Sequence, residues 1–131
     1  MSKVLLLMAG GGIGTLLRYG MAGLTYRFSS GAFPTGTLAV NLIGSFVIGC
    51  AWAFFERSLI SPNIRLFFMV GLLGGFTTFS TFALENFNLI RDGSLKFFLI
   101  NVLVSNIAGI FLVFAGFKIV SAILVKIKCG G

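Results

Sequence analysis

The chain has 131 residues, 57% of them hydrophobic, only 10% charged and no histidine, a composition too apolar for an ordinary water-soluble domain. Its net charge of +7 comes from ten basic residues against three acidic ones. The basic residues are scattered over the ends of apolar stretches instead of forming one stripe, which speaks against nucleic acid as a partner. A bilayer crossing takes about 20 apolar residues, and the apolar stretches use most of the chain, so residues 1–131 are read as one transmembrane domain without a soluble catalytic or nucleotide-binding unit.

The expected crossings are residues 4–26, 36–55, 66–90 and 95–117, separated by short segments that hold both prolines, Pro34 and Pro62. In the first, Lys3 precedes the apolar run as it would in a signal peptide. The run instead continues through glycines to Arg18 with no small-residue cleavage site behind it, which favours a retained crossing. Gly10, Gly14 and Arg18 share one helical face at i, i+4, i+8, a small-residue contact strip ending in a guanidinium. That guanidinium either stays embedded or snorkels to the interface.

In the second crossing Thr37, Asn41 and Ser45 repeat the spacing, a ladder of hydrogen-bond donors down one side. Such residues either cement helices or line a pore, and Asn41, near mid-helix, is the costliest to leave dry. Cys50 lies inside this crossing and Cys129 near the chain end, too differently placed for an expected disulfide.

The third crossing contains Gly74, Gly75, Thr77 and Thr78. Glycine loses backbone entropy in a helix and threonine is stiff at χ1, so a break is expected near residues 74–78; the alternative is a continuous helix with a glycine packing face. Carbonyls released at membrane depth need a cation, water or protein partner. Phe79 and Phe82 follow on one face; the positive edges of such rings can meet an anion, although two phenylalanines among 16 also serve as packing. Glu85 stands near the end of this crossing, in a vestibule or at the interface. In the fourth crossing Asn101, Ser105 and Gly109 again run i, i+4, i+8, with Asn106 beside them.

Both termini and the segment around Arg57 and Arg65 fall on one side. That side carries Lys3, Arg57, Arg65, Lys118, Lys126 and Lys128 at or near headgroup level, against Arg27, Arg91 and Lys96 on the other, a six-to-three bias that puts the termini in the cytoplasm yet leaves insertion in both orientations open. Uncharged donors dominate the intramembrane inventory, as a pathway for a small anion requires, and fluoride is the halide that best suits such donors. No nucleophile and base pair, metal-ligand cluster or phosphate-binding loop is legible, so no enzyme is expected.

The chain resembles the Fluc (CrcB) fluoride channels over nearly its whole length. The resemblance lies in the glycine-rich residues 10–18, in Gly36-Thr37-Leu38-Ala39-Val40-Asn41 with Gly44 and Gly49, and most specifically in Gly74-Gly75-Phe76-Thr77-Thr78-Phe79-Ser80-Thr81-Phe82. It implies an all-α membrane protein in the bacterial cytoplasmic (inner) membrane, an antiparallel, dual-topology homodimer with two fluoride pathways and a central structural sodium ion. It further implies that Asn41 projects into a pore, that Phe79 and Phe82 turn ring edges to the anion, and that Ser80, Thr81 and Thr37 form a polar track. Gly74 and Thr77 would give main-chain carbonyls to sodium, and Arg18 and Glu85 would be vestibule or structural residues. Asn101 departs from relatives that carry tyrosine or another residue there. The implied role is passive fluoride export that relieves fluoride toxicity. The rivals are a proton-coupled multidrug transporter, which needs a deep carboxylate, and a structural subunit whose polar faces only cement helices.

Overall fold

Lipid offers the backbone no hydrogen-bond partner, so an apolar chain satisfies its peptide groups in helices. The computed structural model describes residues 3–28, 31, 33–57 and 60–129, with the side chains of all of these but Phe28, Lys128 and Cys129. The headgroup position expected of Lys128 and the thiol of Cys129 thus lie outside the described residues' side chains. The elements are α1 (Lys3–Phe28), α2 (Thr35–Arg57), α3 (Pro62–Arg65), a π-helical stretch (Leu66–Leu72), α4 (Leu73–Phe76), α5 (Phe79–Arg91) and α6 (Leu95–Cys129), with no strand among the described residues. Among the described residues, four stretches are long and apolar enough to cross a membrane: Lys3–Arg27, Thr35–Arg57, Pro62–Arg91 and Leu95–Ile127. The protein is therefore an all-α, multi-pass membrane protein.

Local chemistry sets the ends of these helices. Ser61 caps α3, its Oγ accepting from the Ile64 N–H at 3.4 Å, with Pro62 in the first turn, where its missing N–H costs nothing. Arg65 donates from Nη2 to the Phe55 carbonyl at 2.6 Å and lies 5.9 Å from the Phe55 ring centroid, so the C-terminus of α2 is held by a cation that its dipole favours. Between α5 and α6 the chain closes a Schellman turn: Ser94 N–H bonds to Leu89 O at 2.8 Å and Gly93 N–H to Ile90 O at 3.0 Å. Gly93 has φ +73°, the left-handed geometry that a residue without Cβ adopts freely. Helix α6 continues well past residue 117, to Cys129; at 1.5 Å per residue it is about 52 Å long, more than the roughly 30 Å of bilayer hydrocarbon.

Close glycine contacts arrange the crossings as two parallel pairs. A Cβ on Gly10 would lie 2.8 Å from Phe67 O, one on Gly14 would collide with Leu72 O, and one on Gly75 would lie 2.6 Å from Gly11 O. The backbones of α1 and the third crossing therefore touch along the face that carries Gly10 and Gly14. In the other pair, Gly49 abuts Val113 O and Gly116 abuts Phe46 O and Cys50, while Gly109 faces Ser45; α2 and α6 run in the same direction. Cys50 itself is a free, half-buried thiol.

Since backbone atoms meet Gly14, no side-chain rotation relieves a larger residue. Gly14→Ala is expected to lower stability by about 1–3 kcal/mol, the range of overpacked sites, whereas Gly20→Ala, with nothing within 4 Å of the new methyl, leaves it unchanged or slightly raised. Thermal unfolding of the detergent-solubilised protein checks this, and equal melting of the two variants would contradict the backbone contact.

Candidate functional site

The third crossing leaves helical geometry at two residues. Thr77 has φ −81° and ψ 158°, and Thr78 has φ −149° and ψ 121°. Gly74 and Gly75, the poorer helix formers, stay helical in α4; the extended residues are the β-branched threonines, which suit extended backbone. Gly44 of α2 gives the Thr77 methyl its space.

Two side chains stabilise this interruption. Asn41 donates from Nδ2 to the Thr78 carbonyl at 3.0 Å and accepts from the Thr78 N–H on Oδ1 at 2.9 Å. One amide thus satisfies both peptide groups of an extended residue, the pairing a neighbouring strand would make. The Thr78 hydroxyl oxygen then caps α5, accepting from the Thr81 N–H at 3.2 Å and donating to Thr81 Oγ1 at 3.0 Å, with Ser80 Oγ 3.4 Å away.

Both diversions act on carbonyls. The Thr78 N–H, which a continuous helix would direct at Gly74 O, goes to Asn41. The Thr81 N–H, which would reach Thr77 O, goes to the Thr78 hydroxyl. Arg18 Nη1 instead approaches Thr77 O at 3.3 Å, so the guanidinium turns toward the interruption. The Gly74 flank is open, with nothing within 4 Å of an added Cβ. Among the described residues no group of three or more His, Cys, Asp or Glu could hold a metal. The available ligands are these main-chain oxygens, a donor type that suits hard cations.

An open cavity of about 330 Å³ lies beside the interruption; its wall includes Asn41, Ser45, Gly74, Thr77, Phe79, Phe82, Ser105 and Asn106. The rings of Phe79 and Phe82 are 5.7 Å apart at 42°, and Phe79 is 78% exposed. Several hydroxyls here donate within the chain: Ser45 to Asn41 O at 2.8 Å and Thr77 to Leu73 O at 2.9 Å. The amides of Asn41 and Asn106 each make one donor bond within the chain, to Thr78 O and to Val102 O at 2.7 Å; a carboxamide carries two N–H donors.

A second cavity of about 270 Å³, lined among others by Arg18, Tyr26, Thr37, Thr81 and Glu85, lies across Thr78, which belongs to both walls. Here Thr37 Oγ1 donates to Glu85 Oε1 at 2.6 Å and Tyr26 Oη to the same oxygen at 3.1 Å, while the buried Oε2 has no partner among the described residues. Tyr26 and Glu85 also line a third cavity of about 250 Å³ toward Asn88, Asp92 and Ser94.

The residues singled out from sequence thus divide. Asn41, Phe79, Phe82, Gly74 and Thr77 line one cavity, and Arg18, Thr37, Thr81 and Glu85 line the other. Ser80 is exposed, and among the described residues its hydroxyl meets the network at Thr78. Asn101 is buried at 1% exposure, donating to Asn86. Sequence reasoning missed Thr78 as clamp and cap, although a threonine before a helix is the available N-cap signal. It missed Tyr26 as a partner of Glu85, which no local pattern indicates.

Four apolar crossings around a polar interruption at bilayer depth define the class, a small multi-pass membrane protein. Residues 5–117 match the family described as CrcB-like protein, Camphor Resistance (CrcB), and the chain belongs to that family. It is 48% identical over 128 residues to a fluoride-specific ion channel FluC of Parabacteroides distasonis, covering 98% of this chain and 100% of that protein. A relative of the same name from a Geobacter species is 46% identical over 114 residues, covering 86% and 92%. One from Shewanella piezotolerans is 42% identical over 120 residues, covering 92% and 97%.

Asn41→Leu keeps the shape but strands the Thr78 N–H and carbonyl, each costing about 1–3 kcal/mol when buried without a partner. Melting in detergent is expected to fall markedly, with Asn41→Asp intermediate because it still accepts from the N–H. A melting point unchanged in Asn41→Leu would mean that the clamp carries no weight.

Proposed function

We propose that the chain is a fluoride-specific ion channel, not an enzyme, and that it lets fluoride leave the cell passively across the bacterial inner membrane, which relieves fluoride toxicity. The reading rests on the family and on one observation: a cavity at bilayer depth lined by amides, hydroxyls and two phenylalanine rings, without a charged side chain in its wall. Small anions need donors that replace hydration without binding too tightly to leave. Asn41 and Asn106 each have a second N–H beyond the bond already made. Hydroxyls of Ser45 and Thr77 can rotate from main-chain carbonyls toward an anion, and that of Ser105 from the Asn101 side-chain oxygen, since their protons follow the best acceptor. The edges of Phe79 and Phe82 add positive quadrupole without a formal charge.

The working unit in this proposal is an antiparallel, dual-topology homodimer with two pathways, and Thr37, Ser80 and Thr81 form its polar track. The openness of the cavity and the outward Phe79 ring support a second copy as the missing wall. Arg18 and Glu85 serve as vestibule or structural groups across Thr78. A structural sodium ion fits the carbonyls of Gly74 and Thr77, whose helical donors are diverted; one chain offers too few oxygens for a hard cation, and a second copy supplies the rest. The ion would contribute a fixed positive charge and a cross-link between subunits. Arg18 beside Thr77 O supplies charge of the same sign.

Liposomes holding the purified protein are expected to release fluoride and to retain chloride. Phe82→Ile is expected to slow fluoride release by about tenfold or more, equivalent to at least roughly 1.4 kcal/mol in barrier height, with Phe79→Ile also impaired. Release that ignores both the anion and the two substitutions would overturn the channel reading. Exchange of sodium for a bulky cation throughout purification and assay is expected to reduce release, and unaltered release would remove the proposed cation role of Gly74 and Thr77.

A further inference from the structure

A chain of buried amides joins α5 to α6 beside the cavity. Ser105 Oγ donates to Asn101 Oδ1 at 3.4 Å, Asn101 Nδ2 donates to Asn86 Oδ1 at 3.1 Å, and Asn86 Nδ2 donates to the Phe82 carbonyl at 2.8 Å. Asn101 and Asn86 are 1% and 6% exposed. The chain begins and ends in the cavity wall, at Ser105 and Phe82, while its two amides stand behind that wall.

The interruption at Thr77 and Thr78 makes this arrangement consequential. In an unbroken helix, backbone hydrogen bonds would transmit the rotation of α4 to α5. Here the N–H groups of Thr78 and Thr81 turn to side chains, so the setting of α5 about its axis depends on contacts with other crossings. Apolar contacts tolerate rotation and sliding, because dispersion has little direction. An amide pair has one geometry, and burial makes its loss expensive.

We propose that Asn101, acting through Asn86, is a positioning residue that fixes the rotation of α5 and thereby the presentation of Phe82 to the passing anion. The proposal rests on the reading of the cavity as a fluoride passage. Asn101, buried behind the cavity wall, does not touch the anion. Its amide holds the turn from Phe82 to Asn86 against α6, and Ser105 extends the same tether to a second point of the cavity wall.

Two variants separate positioning from mere cement. Asn101→Leu keeps a branched side chain of similar size but leaves the Asn86 oxygen unpaired, and reduced folded yield is expected. The double variant Asn86→Leu/Asn101→Leu removes both polar partners and is expected to recover the folded protein, since no buried amide is stranded. In liposomes the double variant is nevertheless expected to release fluoride about tenfold or more slowly than the parent, with a smaller ratio of fluoride to chloride release. Parental rate and ratio in the folded double variant would overturn the proposal. Should that variant not fold, Asn101→Ser carries the same comparison, with a hydroxyl too short to hold the Asn86 contact. If the parent itself released no fluoride, the passage reading would fall and this inference with it; parental release with insensitive variants would sink the inference alone.

Discussion

One carboxamide organises the middle of this protein. Asn41 bonds to both the N–H and the carbonyl of Thr78, which allows the third crossing to leave helical geometry where lipid forbids unpaired peptide groups. The consequences follow in order along the chain. The diverted Thr78 N–H releases the Gly74 carbonyl, the Thr78 hydroxyl starts α5, and Thr78 becomes the partition between two cavities. Arg18 reaches the Thr77 carbonyl from α1, and the glycines at 10, 14 and 75 bring that helix close enough to do so.

The sequence foretold what depends on composition and period. Four apolar runs imply four crossings, since a bilayer demands both length and hydropathy. The ladder of Thr37, Asn41 and Ser45 and the strip of Gly10, Gly14 and Arg18 follow from helical spacing alone, and in the structure Thr37, Asn41 and Arg18 each bond to the third crossing. What a side chain does at the end of its reach was less legible. Spacing alone could not tell a pore-lining Asn41 from one that bonds the backbone, because the distinction depends on the conformation of Thr78, far away in sequence. Weak helix formers at Gly74 and Gly75 drew attention to the right region. The extended pair is nevertheless Thr77 and Thr78, since glycine is equally at home where backbones must touch, as Gly75 and Gly11 do.

Other features had no local signal. The π-helical stretch at Leu66–Leu72 differs from an α-helix by one residue in the span of each backbone hydrogen bond, which the apolar run Leu-Phe-Phe-Met-Val-Gly-Leu does not encode. Tyr26 meets Glu85 and Asn101 meets Asn86 only because whole helices pack in a particular order. The extension of α6 beyond residue 117 was obscured by a window set to bilayer thickness, although the sequence there remains apolar and free of proline.

The central claim, that Asn41 holds Thr78 extended within the membrane, is open to direct measurement by solid-state NMR on isotope-labelled protein in lipid bilayers. Backbone shifts at Thr77 and Thr78 should be extended between helical neighbours, with a through-space contact from the Asn41 side-chain amide to the Thr78 peptide group. Continuous helical shifts from Leu73 through Arg91, with no such contact, would contradict the account.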